Sequence, residues 1–300
     1  MDMTQNKCCR YGANLRRRRR RCRKILRSII FSCSIIAVAG FVAVGSSMIR
    51  SGDGRTNRYD VEAGNNTYDN AVIENSKISE KNKIQNNQSM LDDIMNSTQY
   101  PKQLKDLALK NEEALEFVYD YPTEHVKEHT IDLTEEASMD SVPLFVQWDK
   151  RWGYEKYSGN FFAASGCGPT TLSMVVVYLT HNRDASPIAV AKYSKEAGYS
   201  VDGSGSSWTL ISEGCRHYGV KAKTVALDES RMKAELDAGH PIVVNVGPGD
   251  FTDTGHFMVI TGYDDEGFSI NDPNSIEKSG KRWLFRNISS QIRAVWSMYV

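Results

Sequence analysis

Apolar and polar positions follow three different rhythms along this chain. From Ile29 to Ile49, "IIFSCSIIAVAGFVAVGSSMI", there is no charged residue, and about 20 mainly apolar residues suffice to span a bilayer. From Arg50 to Ser89 the pattern reverses to Asn, Ser, Asp, Lys and Glu with few large apolar side chains. That composition buries too little surface to order itself and predicts a tether. "QYPKQLKDLALKNEEALEFVYDYP" then spaces Leu104, Leu107, Leu109, Leu115 and Val118 at roughly helical intervals, closed by Pro122.

Residues 141–300 are dense in turn formers and predict alternating short elements. Helices are expected from Cys167 to Leu179, and from Pro187, with Ser186 as cap, to Gly198. Two more should run through "SWTLISEGCRHYG" to Gly219 and along "ESRMKAELDAGH". Strands are expected at "PIVVNV", at "HFMVITGY" and, past the turn "DDEG", at "FSIND". The loop "GPGDFTDTG" separates the first two. Helices first and hairpin strands later predict an α+β fold with segregated layers, not a parallel α/β sheet.

Composition adds little, at 40% hydrophobic and 25% charged residues. Charge adds more. The formal net charge is zero, yet eleven of the 37 Lys and Arg precede residue 28, against the single acid Asp2. A basic tip leads an acidic body. A basic cluster ahead of an apolar span stays cytoplasmic. This predicts a cytoplasmic tail (1–28), a single-pass anchor (29–49), a disordered linker (50–89), a helical pre-domain segment (90–140) and an extracellular folded domain (141–300). The alternative is a signal peptide cleaved after Ala43-Val44-Gly45 and a secreted body. Arginines that abut a membrane span imply a membrane partner, not nucleic acid. Outside the cell disulfides are permitted. However, Cys8, Cys9 and Cys22 precede the span and Cys33 lies in it, leaving only Cys167 and Cys215 beyond. This is not a disulfide scaffold.

The chemistry centres on "SGCGPTTLSMVV". A thiol at a helix N-terminus meets unpaired N–H groups and the positive end of the dipole, both of which favour the thiolate nucleophile. Gly166 and Gly168 are expected to let a substrate backbone approach the sulfur, and Pro169 suits a first turn. Of the six histidines, His256 opens an apolar strand behind a glycine-rich loop, where a base would border a cleft. Asp272 ends the next strand. A flat hairpin about "DDEG" pairs it nearer Val259 than His256, so contact requires a twist, a bulge or a bend; Asn271 is a second candidate. Oxyanion donors are expected from the Cys167 N–H and the Gln147 side chain. The loop Gly247 to Gly255 should border the cleft and act as a lid. Cys215 reads as a packing residue, and "CRHYG" lacks the partners of a zinc set.

"PLFVQWDKRWGYEKYSG", "SGCGPTTLSMVVVYLT", "GDFTDTGHFMVITGY" and "INDPNS" together resemble the exported, stand-alone relatives of the double-glycine (bacteriocin-processing) peptidases, which are papain-like cysteine peptidases. The resemblance covers about Val142 to Val300, and "LKNEEALEFVYDYP" is similar to a segment that often precedes such domains. It implies a papain-like fold and a membrane-anchored extracellular peptidase. In that reading Cys167 is the nucleophile, His256 the general base and acid, Asp272 its orienter and Gln147 the oxyanion donor. A peptide or protein substrate is implied, with no metal and no organic cofactor. No Gly-x4-Gly-Lys-Ser/Thr phosphate loop is present, so the leader-peptide substrate of transporter-fused relatives is not inherited. An acyltransferase on the same residues, or a silent binding module, are the alternative functions. No oligomeric state follows from the pattern.

Overall fold

The computed structural model describes residues 66–300. The expected tail (1–28), the anchor (29–49) and the linker as far as residue 65 lie outside the described residues. Among the described residues no helix is long and apolar enough to cross a membrane.

The disordered linker expected over 50–89 is corrected from Asn66 onward, where a single helix runs Asn66–Asn96. Its last turns explain it. Met90, Leu91 and Ile94 pack on Leu104, Leu107, Leu115, Phe117 and Val118. The exposed turns before them include Lys77, Glu80, Lys81, Lys83, Gln85 and Gln88, types that lose little side-chain freedom in a helix, and Gln88 donates to Asp92 one turn on, at 2.9 Å. The apolar stripe that docks this helix begins only at Met90, beyond the polar stretch that ends at Ser89. Short helices follow at Lys102–Ala108, Leu115–Tyr119 and Tyr121–Glu124. They share an apolar cluster with Phe161 and Ala163, and Tyr154 donates to the Phe117 carbonyl at 2.7 Å.

Two small hairpins, β1 (Lys156–Tyr157) with β2 (Asn160–Phe161) and β3 (Ser200–Val201) with β4 (Gly205–Ser206), flank the helical layer. The main sheet holds β5 (Lys221–Thr224), β6 (Ile242–Val246), β7 (His256–Asp264), β8 (Gly267–Asn271), β9 (Arg282–Trp283) and β10 (Ile292–Tyr299). It is antiparallel throughout, in the order β5-β10-β6-β7-β8-β9. The pattern did not predict β5, β9 or the interior strand β10. A register shift between Ile292 and Ala294 disrupts the alternation that would mark β10.

The helix Cys167–Thr180 is buried all round from Gly168 to Val177, which is why its sequence lacks a polar face. It lies on Phe257, Val259, Val243, Trp296 and Met298 of the sheet. Each fully buried Val, Leu or Met there contributes about 1.5–3 kcal/mol relative to exposure. The opposite face, with Val244, Val246, Met258 and Ile260, is covered by Met232 of the helix Glu229–Asp237 and by Ile288. The fold is α+β, helices followed by an antiparallel sheet, but the layers are not strictly segregated because this helix takes the far face. Pro187–Glu196 begins as expected, with the Ser186 hydroxyl accepting from Ala189 N. "SWTLISEGCRHYG" instead divides into Thr209–Ser212 and a 3-10 turn Gly214–Tyr218. The divide falls at Gly214, where a Cβ would lie 3.0 Å from the Tyr199 ring.

Candidate active site

Cys167 is the first residue of its helix and is half-buried. The glycines around it serve a purpose other than substrate approach. A Cβ on Gly168 would lie 2.5 Å from Ser206 Oγ, and one on Gly166 would lie 2.6 Å from the Phe162 ring. The protein itself fills both spaces. Ser206 is held there by the Tyr157 hydroxyl, 2.6 Å away, so the β3–β4 hairpin closes directly over the start of the helix.

His256 and Asp272 come together through a bulge. Val259 pairs with Asn271 and Ile260 with Ile270, but Gly262 already pairs with Ser269, so Thr261 is an extra residue on β7. Without it Asp272 would fall opposite Val259 and on the face away from His256. One residue of slip reverses the face, placing Asp272 opposite Met258 and on the side of His256. The Asp272 turn is then fixed: Gln147 N donates to Pro273 O at 2.7 Å, and Asp272 accepts from Asn274 N at 2.8 Å. His256 Nε2 lies 2.7 Å from Asp272 Oδ1, with Asp272 fully buried and the histidine nearly so. Asn271 is not the partner; its amide donates to the Val142 and Pro143 carbonyls. Asn245, itself buried, donates to the His256 carbonyl at 3.2 Å and fixes the backbone at the start of β7.

With Nε2 on Asp272, the Nδ1 side of the ring is left for the thiol. Burial works against charge on both partners. For His256 the Asp272 carboxylate and the thiol outweigh it and raise the imidazole above its ordinary value. For Cys167 the His256 ring, by hydrogen bond and charge, together with the Phe257 and Gly168 N–H groups, outweighs burial and lowers the thiol. These opposite shifts favour a thiolate–imidazolium pair.

Gln147 is buried, not a surface amide, and its Nε2 donates to Ala163 O at 2.7 Å. One Nε2 hydrogen remains for a ligand, beside a Cys167 N–H that has no acceptor within its helix. Gln147 Oε1 and Asp272 Oδ2 are buried without a partner. Two cavities meet at Cys167. One, of about 550 Å³, extends past Asn160, Ser206, Trp208 and Arg293. The other, of about 340 Å³, extends between Gln103–Asn111 and Phe251–His256. The thiol thus sits midway along an open groove. A larger cavity of about 840 Å³, lined by Lys83, Glu112, Glu116 and Asp120, holds no nucleophile.

The loop Gly247 to Gly255 borders the groove, but it is pinned. Phe251 is buried against Trp283, and Gln291 exchanges hydrogen bonds with Asp250 N and Oδ2, both at 2.7 Å. The other five histidines face elsewhere: His125 stacks on Tyr121, His217 on Tyr193, His129 meets Glu124, His181 the Ala137 carbonyl and His240 Glu235. Cys215 is fully buried, and burial pushes its thiol up to about 11, so it is inert packing. Among the described residues no cluster of three or more His, Cys, Asp or Glu is placed to hold a metal.

Residues 139–300, more than half of the chain, match the Peptidase C39 like family. The chain belongs to that family. The resemblance read from its motifs is therefore upheld, and membership of a peptidase family implies a cysteine peptidase with a peptide substrate. Among solved structures, the peptidase domain of Streptococcus ComA, a bi-functional ABC transporter of a quorum-sensing pathway, is similar at 18% identity. That match covers 53% of this chain and 96% of that one, with a TM-score of 0.39. A chain from Bacillus anthracis described as a C39-like peptidase is similar at 16% identity, covering 53% and 95%, with a TM-score of 0.34. No curated protein matches the chain.

Several residues of the site were not legible in advance. Ser206 and Asn160 reach the groove from hairpins only two residues per strand, too short for periodicity to register. The wall formed by Gln103, Asp106, Lys110 and Asn111 comes from the helical pre-domain segment, in which the sequence predicts no site residue. Asn245 is the single polar position in "PIVVNV", and that interruption was the available signal.

Proposed function

We infer that this protein is an exported cysteine peptidase that cleaves an extended peptide lying across Cys167. The observation carrying this reading is the 2.7 Å bond from His256 Nε2 to Asp272 Oδ1, which sets the imidazole between a buried carboxylate and the thiol. In the forward half, Cys167 thiolate attacks the scissile carbonyl carbon. The oxyanion is held by the Cys167 N–H and Gln147 Nε2. His256 gives its proton to the leaving amine as the C–N bond breaks, leaving a thioester. Water then attacks the thioester, His256 takes the water's proton, and the acid departs with the thiolate restored. A groove continuing on both sides of the thiol favours cleavage within a chain over trimming of its ends. The basic residues before position 28 and the uncharged run 29–49 support an anchored protein with the catalytic domain outside the cell.

The test is the pH dependence of Cys167 alkylation by iodoacetamide, resolved by peptide mass spectrometry in the full-length protein. Reaction should persist well below the free-thiol value of about 8.5. His256→Ala should restore ordinary thiol behaviour and lower peptide turnover by roughly 10²–10⁴-fold. Turnover unchanged in His256→Ala would end the assignment.

A further inference from the structure

The loop that carries Asp272 is held from far away in sequence. Glu113 lies in the pre-domain segment, upstream of the family match that begins at residue 139. Its carboxylate takes three bonds from the residues just after Asp272. Oε1 accepts from the Ser275 hydroxyl, and Oε2 accepts from Ile276 N at 2.7 Å and Glu277 N at 3.0 Å. Asn111 adds a fourth link, its Nδ2 donating to Asn274 O at 2.9 Å while its Oδ1 accepts from Glu113 N at 3.0 Å. One side chain therefore steadies the other as both grip the same turn. Lys83, Glu112, Glu116 and Glu277 line the cavity beside Glu113, and among the described residues none of their side chains bonds it.

The gripped residues lead straight to the site. Ser275 is buried and forms a bridge to Asp272, and Asp272 N donates to the Ser279 hydroxyl oxygen at 2.9 Å. Asn274 N shares Asp272 Oδ1 with His256. We propose that Glu113, with Asn111, is a positioning residue for Asp272, so that the pre-domain segment completes the active site of the peptidase domain. This rests on the assignment of Asp272 and His256 to catalysis. A displaced Asp272 would leave His256 without its carboxylate, and the thiolate would lose its imidazolium partner at a lower pH.

The experiment compares Cys167 alkylation by iodoacetamide from pH 5 to 10 in full-length wild type, Glu113→Ala, Glu113→Gln and Tyr154→Phe. A one-unit rise in the thiol's apparent pKa cuts the thiolate about tenfold below that pH. Glu113→Ala should accordingly react about tenfold or more slowly at pH 6 and regain the wild-type rate near pH 9. Glu113→Gln keeps an oxygen for the two amides and a polar group for Ser275, and should recover most of the difference. Tyr154→Phe removes the bond to Phe117 O, loosening the same segment without touching the Asp272 turn, and should follow wild type. A Glu113→Ala profile that overlays wild type overturns the proposal, and so does an equal shift in Tyr154→Phe. A wild-type thiol that already behaves as an ordinary one overturns the catalytic assignment as well, which separates the two failures.

Discussion

Asp272 is buried and bonded to His256, yet its second oxygen has no partner. A carboxylate so placed gives its main return through charge on the imidazole. After burial, its charge is the largest influence on His256 and raises it. Asp272→Asn keeps an oxygen for Nε2–H but removes that charge. His256 should fall toward its ordinary value of about 6.5, and Cys167 should rise toward an ordinary thiol. The pH window of kcat/KM is bounded below by formation of the thiolate and above by loss of the imidazolium proton. It should therefore narrow from both sides, with a drop of roughly tenfold for each unit of thiol shift on the acid limb. Stability follows the same linkage. The raised imidazole contributes stability that is fully present below about pH 6.5 and is lost as pH rises through its folded value. Unfolding measured against pH should show that loss in wild type and a weaker one in Asp272→Asn. Identical pH–rate profiles for the two proteins would mean that the carboxylate only holds the ring in place.

Much of the helical layer was legible because its signals are local. Ser186 before Pro187, the glycine at 198 and the apolar run after Cys167 each act within a few residues. The sheet was legible only where a short apolar run bounded by turn residues or an alternation survives, the run in β6 and β7 and the alternation in β8, and β10 escaped because its register shift breaks the pattern. Of the four residues singled out for chemistry, Gln147, Cys167 and His256 line one groove and Asp272 is buried behind His256, but the contact between His256 and Asp272 depends on a device that spacing alone hides. That device is Thr261, the extra residue between Ile260 and Gly262. Deleting Thr261 should restore a regular β7–β8 ladder and turn Asp272 to the other face. The hairpin would remain, since Asp264 to Gly267 and the pairs beside the turn are unaffected. Even a displacement of about 1 Å can cost on the order of 100-fold in rate, and this one is larger. Thiol activation at pH 6 should be lost while far-ultraviolet circular dichroism stays native. A deletion variant with full reactivity would show that the bulge is not what brings the pair together.

At the scale of the whole molecule, the family match starts at residue 139, but the folded body starts earlier. Asn87 donates to Glu112 at 2.9 Å, and Glu112 adjoins the residue that grips the Asp272 turn. The helix Asn66–Asn96 is thus joined by contact to the site and by sequence to the apolar segment 29–49. Placing the domain outside the cell makes a prediction that the chain's own cysteines can read. Cys8, Cys9 and Cys22 precede the apolar segment, and Cys167 follows it with its sulfur on an open groove. Cys215 is too deeply buried to react in the native protein. A membrane-impermeant maleimide added to intact cells should label Cys167 and spare the three N-terminal cysteines, which should react only after lysis. Labelling of those three first, with Cys167 protected until lysis, would reverse the topology. If the segment is instead a cleaved signal, the labelled Cys167 should appear in the medium on a species that carries none of the first three. Cell-bound and released species are told apart by mass, so one labelling experiment distinguishes anchor, signal and inverted chain.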